Sequence, residues 1–145
     1  MTTVRDLLAA KGGRVWTCDR SETVMDAVRR MNDHRIGALV VMDGQRIMGI
    51  FTERDVLQRV VTQGHAADNL LVVDVMTAPV RCCSPEMNVE EAGRLMRDQR
   101  IRHLPVCDDA GKLLGIVSIG DINAHHVRMQ QDAIQHLEAY VYHSV

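Results

Sequence analysis

Two short patterns in this 145-residue chain combine residue types and spacing that could hold a ligand. Gly49-Ile50-Phe51-Thr52-Glu53-Arg54-Asp55 and Gly115-Ile116-Val117-Ser118-Ile119-Gly120-Asp121 each run from a glycine to a hydroxyl, with a carboxylate three positions further on. A hydroxyl and an acid at that spacing form a helix capping box, in which both satisfy unpaired backbone N–H groups. The same geometry suits a phosphorylated ligand. A helix N-terminus offers N–H donors and a positive dipole end, and the hydroxyl adds another donor. The carboxylate one turn later is an acceptor pair sized for the two hydroxyls of a ribose. The glycine lets a ligand or a neighbouring strand approach closely. On the residues alone, both readings stand.

Other chemistries find little support. No nucleophile–base arrangement is recognisable, so an enzyme is not expected. The Gly-x-Gly-x-x-Gly fingerprint of a dinucleotide fold is absent. Cys18, Cys82, Cys83 and Cys107 contain no Cys-x-x-Cys pair, and neighbours 82 and 83 would point to opposite faces of a strand. They read as buried free thiols of a reducing cytoplasm. His125 and His126 are adjacent, and His136 and His143 lie seven apart; neither spacing suits a helical ligand pair, so no metal is expected.

Composition agrees with a soluble domain. Apolar residues make up 46% and charged residues 25%, with a net charge of −2. The missing basic excess and the 3% of aromatics exclude a nucleic-acid binder of the usual kind. No apolar run approaches the roughly eighteen residues of a membrane span, and Met1–Ala10 lacks a signal core, so a cytoplasmic location is expected.

The elements that position the two patterns come from a duplication. A shift of 65 places Val15–Asp43 on Val80–Asp108, repeating Val24, Ala27, Met31, Arg35, Ile36, Leu39 and Val41 at 89, 92, 96, 100, 101, 104 and 106. Each unit reads alike. A lead-in segment (Val4–Leu8, Val73–Met76) precedes an extended piece, Val15–Cys18 or Val80–Cys83. A helix follows, capped at Thr23 with Asp26 or at Asn88 with Glu91. Two strands come next, Ala38–Met42 with Ile47–Phe51 and Leu104–Cys107 with Leu113–Val117, and then a second helix, Glu53–Thr62 or from Ile119 onward. The expected fold is α/β (α+β): two tandem βαββα repeats about a pseudo-twofold axis plus a C-terminal helix. Residues 1–68 and 69–123 are the repeats, 63–70 the linker and 124–145 the tail.

In this order the chain resembles a tandem pair of cystathionine-β-synthase (CBS) domains, the Bateman module, over residues 4–123. The two Gly-h-h-Thr/Ser-x-x-Asp patterns carry the likeness, with Ile101-Arg102-His103-Leu104-Pro105-Val106 and Asp74-Val75-Met76-Thr77. The resemblance implies a regulatory module binding AMP, ADP, ATP or NAD(H) between the repeats, with S-adenosylmethionine also possible and no cofactor required. By position it implies phosphate and ribose contacts from Thr52, Arg54 and Asp55 in one site and Ser118, Gly120 and Asp121 in the other. Adenine would lie against the extended pieces Val15–Cys18 and Val80–Cys83, with Val15, Thr17, Cys18, Val80, Cys82 and Cys83 as contacts, and against Ile36, Gly37 and Ala38, and Ile101, His103 and Pro105. Arg102 and His103 could both donate to phosphate, whereas Gly37 and Ala38 stand in their place in the first repeat. The Asp55 site, completed by Arg102 and His103, is therefore expected to bind more tightly.

Val127, Ile134 and Val141 recur every seven residues, with Leu137 between them and Gln130 and Ser144 weakening the seam. The tail is expected to be one helix that lies on the module or on a second copy; the resemblance implies a homodimer. The alternative is a constitutive dimeric scaffold with vestigial pockets, whose tail recruits an unidentified protein partner.

Overall fold

The computed structural model describes residues 1–12 and 14–143. In chain order they form α1 (Val4–Ala10), β1 (Thr17–Asp19), α2 (Val24–His34), β2 (Ala38–Asp43), β3 (Arg46–Thr52) and α3 (Glu53–Asp55). A wide π-type turn, Val56–Val61, continues α3; α4 (Val72–Val75), α5 (Val89–Gln99), β4 (His103–Cys107), β5 (Leu113–Ser118) and α6 (Ile119–His143) follow.

The paired helices α2 and α5 start where the capping residues stand. Thr23 Oγ1 accepts from the Asp26 N–H at 3.1 Å, and Asn88 Oδ1 accepts from the Glu90 N–H at 2.8 Å, one residue short of Glu91. Both helices end on an arginine, Arg35 or Arg100, in the left-handed conformation at φ 54°.

The two sheets differ. In the first half β1 runs parallel to β2, and β2 pairs antiparallel with β3. In the second, β4 and β5 form a two-stranded sheet, and the expected strand at Val80–Cys83 is reduced to one bridge, Cys83 to Val106. Pro105 explains the loss. Its counterpart Val40 donates its N–H to Trp16 O at 3.2 Å. Proline has no N–H to give, so the third strand cannot zip up beside β4.

The lead-in helices are exchanged. Val4 and Leu7 of α1 sit in the core of the second half with Val89, Met96, Leu104, Val117 and Ile122. Val72 and Val75 of α4 sit in the core of the first, with Val24, Met31, Leu39, Phe51 and Val60. Matching backbone bonds clasp each in place: Val72 N–H to Glu22 O at 2.9 Å and Val24 N–H to Leu70 O at 2.8 Å, against Val4 N–H to Met87 O at 2.8 Å and Val89 N–H to Thr2 O at 3.1 Å. The linker thus packs beneath the start of α2.

The tail departs from one of its two expected placements. Ile122 is buried beside Gly93, and His126 Nε2 meets Glu90 Oε1 at 2.7 Å. Beyond that point Val127, Ile134, Leu137 and Val141 are each more than half exposed, so α6 stands clear of the module. Ser144 and the side chain of His143 lie outside the described residues.

Candidate functional site

Both sequence patterns fold as capping boxes at a strand-to-helix turn, but their carboxylates are engaged differently. Asp55 is 4% exposed. Its Oδ2 accepts from the Thr52 N–H at 2.9 Å and from Thr52 Oγ1 at 3.2 Å, and its Oδ1 accepts from Thr77 Oγ1 at 2.8 Å. Both oxygens are therefore taken by protein donors. The Asp121 side chain is 22% exposed. Its Oδ2 accepts from the Ser118 N–H at 2.8 Å and from Lys11 Nζ at 2.8 Å. Among the described hydrogen bonds none reaches Asp121 Oδ1.

The glycines of the patterns serve protein rather than ligand approach. A Cβ on Gly49 would lie 2.6 Å from Met76 Sδ and 2.7 Å from Thr77 O; one on Gly115 would lie 2.8 Å from Leu8 Cδ2. Leu8 and Met76 follow the equivalent core residues Leu7 and Val75, so each glycine admits the lead-in segment exchanged from the other half.

Two clefts open between the halves, each built crosswise. The larger, about 450 Å³, joins Ser118 and Asp121 of the second half to Arg35, Ile36, Gly37 and Ala38 of the first, with Lys11, Arg14, Val15, Trp16, His103 and Ile116. The other, about 320 Å³, joins Thr52, Glu53, Arg54 and Asp55 of the first half to Arg100, Ile101, Arg102 and His103 of the second, with Arg59 and Thr77. Both volumes fall at the lower end of the range of small-molecule sites. Gly37 and His103 belong to both clefts and face each other between them: a Cβ on Gly37 would lie 3.5 Å from His103 Cε1.

The clefts collect Thr52, Arg54, Asp55, Ile101, Arg102 and His103 on one side, and Val15, Ile36, Gly37, Ala38, Ser118 and Asp121 on the other. Thr17 and Cys18 lie in β1 and beside a separate surface groove, with Cys18 buried in the core. Cys83 is buried, Cys82 is exposed beside Arg94, and Val80 and Pro105 line neither cleft. Gly120 lies in the first turn of α6 against Ser118 Oγ. All four thiols are free, but only Cys18 and Cys83 are buried as expected; Cys82 is exposed and Cys107 half-buried. Burial pushes the Cys18 thiol up to about 12 and Cys83 to about 11, so both are neutral core groups.

Lys11, Arg14, Arg35, Arg59 and Arg100 escaped the sequence reading as site residues, while Trp16 fell within the expected adenine-facing piece Val15–Cys18 and Thr77 only within the motif 74–77. Trp16 stacks on His34 with ring centroids 3.9 Å apart, and the Arg14 guanidinium lies 5.3 Å from its ring. A signal existed for the two helix-ending arginines: they repeat in register, and an arginine held at positive φ, where glycine is at ease, marks a position kept for its side chain.

Both linings are rich in cations: Lys11, Arg14 and Arg35 face Asp121, and Arg54, Arg59, Arg100 and Arg102 face Glu53 and Asp55. His103 does not add to them at neutral pH. Burial pushes its pKa below the usual 6.5, with Glu53 opposing only in part. Among the described residues no group of three or more His, Cys, Asp or Glu could hold a metal ion, and no helix is long and apolar enough to cross a membrane.

Comparison with known proteins assigns this arrangement. The sequence model of the CBS domain matches twice, at residues 4–62 and 72–126. The structure of a protein with CBS domains from Burkholderia ambifaria MC40-6 superposes with a TM-score of 0.84 at 41% identity, covering 88% of this chain and 95% of that one. The CBS domain-containing protein CBSX3, mitochondrial, of Arabidopsis thaliana is 40% identical over 149 residues, or 97% of this chain and 72% of that protein. A hexameric CBS-CP12 protein from bloom-forming cyanobacteria has a TM-score of 0.74 at 32% identity, covering 83% of this chain and 66% of that one.

Proposed function

This chain belongs to the CBS-domain family, as two copies of that domain in tandem, and we propose that it is a non-enzymatic regulatory module binding adenine nucleotides in its two crosswise clefts. The observation that carries the reading is the crossing itself. Each cleft takes its capped turn from one half and its helix–strand junction from the other. A ligand there touches both halves at once, so it binds best at one setting of the angle between them. That differential affinity is what a population shift requires. The cationic linings suit phosphate, and the apolar residues Ile36, Ala38, Ile101 and Ile116 suit a base.

AMP, ADP, ATP and NAD(H) are the proposed ligands, with S-adenosylmethionine as a further one. Asp121, with an oxygen to spare, is the proposed ribose acceptor; Asp55 is assigned to holding its own turn. Signalling is proposed to run through a homodimer; the hexameric CBS-CP12 neighbour supports self-association, not its order. The test is thermal unfolding with each compound. Binding only to the folded state adds about 2.7 kcal/mol at a hundred times Kd. A flat response to all five compounds would overturn the reading.

The exposed apolar row of α6 favours one second reading, a dimeric scaffold whose tail recruits a partner. It predicts that flat response, together with loss of self-association when α6 is cut after His126.

A further inference from the structure

We propose that Lys11 is the residue that makes the Asp121 cleft select phosphorylated ligands over neutral nucleosides; the inference rests on the nucleotide reading above. Lys11 comes from the C-terminal end of α1, the helix exchanged onto the second half, and lies outside both sequence patterns. Its Nζ donates to Asp121 Oδ2 and to Ile116 O, both at 2.8 Å. An ammonium has three donors, so one remains for a ligand. The side chain is 40% exposed and its four-carbon stem is flexible, so Nζ can reach outward without leaving the turn.

Two effects follow from this single contact. Among the described residues Asp121 is the sole carboxylate lining its cleft, and Lys11 cancels its charge where a phosphate must enter. The remaining donor can then make a charge-assisted bond to that phosphate. Without Lys11, the carboxylate would face the incoming anion across a part-buried cleft. A neutral nucleoside meets neither effect, because its ribose hydroxyls need only the acceptor. In the Asp55 cleft the carboxylate is capped at 2.8 Å by the hydroxyl of Thr77, and the nearest cation, Arg59, stands off with Nε 3.8 Å from Asp55 Oδ1.

Trp16 makes the test local, since it is the single tryptophan of the chain and lines this cleft alone of the two. AMP and adenosine are titrated against wild type, Lys11→Met and Lys11→Arg while Trp16 emission is followed, with circular dichroism confirming that each variant is folded. Wild type is expected to prefer AMP. Lys11→Met should lose about tenfold or more of its AMP affinity and none of its adenosine affinity, while Lys11→Arg keeps the preference. If Lys11→Met retains the wild-type ratio, the assignment of Lys11 is overturned and the nucleotide reading stands. If wild type binds neither compound, the nucleotide reading falls and this inference falls with it.

Discussion

Thr77 Oγ1 donates to Asp55 Oδ1 at 2.8 Å across 22 residues of sequence, and that bond separates two carboxylates that look alike on paper. Asp55→Ala removes a buried acceptor and strands the hydroxyl of Thr77 and the N–H of Thr52, at a cost of about 2–3 kcal/mol. Asp121→Ala, at a wetter cap, should cost about 0.5–1.5 kcal/mol. Chemical denaturation reads this order directly, and an equal cost for both would refute it.

The two pattern glycines should also rank. At Gly49 an added methyl collides with the carbonyl oxygen of Thr77 as well as the Met76 sulfur, and backbone cannot step aside. At Gly115 its three nearest atoms all belong to the Leu8 side chain, which can rotate. Gly49→Ala should lose about 2–3 kcal/mol and Gly115→Ala about 1 kcal/mol, measured by urea midpoints.

Arg35 and Arg100 invite a trade. Glycine relieves the left-handed backbone at φ 54°, so Arg35→Gly should gain up to about 1 kcal/mol in stability. The same change removes a cation from the Asp121 cleft, and nucleotide binding there should weaken as the melting temperature rises. Equal binding in the stabilised variant would show that the side chain plays no part.

His103 gives the fold a pH dependence. Burial disfavours its imidazolium, so the unfolded chain, where histidine titrates near 6.5, takes up this proton first as pH falls. Stability from this group is full above that value, drops as pH descends through it, and levels off below the depressed folded pKa. His103→Gln should flatten that part of the stability curve. An unchanged slope would place its origin elsewhere.

The duplication, the capped helices and the paired hairpins were legible because each rests on local chemistry: Thr23 and Asn88 as caps, and apolar residues at helical spacing. What escaped was long-range. Nothing about Val4 and Leu7, or Val72 and Val75, says which core they enter, since an apolar pair on a short helix fits either half. Thr77 could not be tied to Asp55 for the same reason. The missing third strand was in principle readable, because Pro105 stands where Val40 donates. The clefts were legible in their capped turns, in Val15–Cys18 and in Arg102 and His103, but Lys11 reaches its cleft only through the fold.

The exchanged lead-in helices bear on how the chain is made. Synthesis proceeds from the N-terminus, and domains usually close in the order they emerge. Here the first half cannot complete its core until Val72 and Val75 have left the ribosome. Val4 and Leu7 are translated before every other residue of their core and have no surface to settle on until β4 and β5 exist. Helix α1 is thus made well before the core it enters, and the nascent protein must carry that apolar segment undocked while both repeats are synthesised.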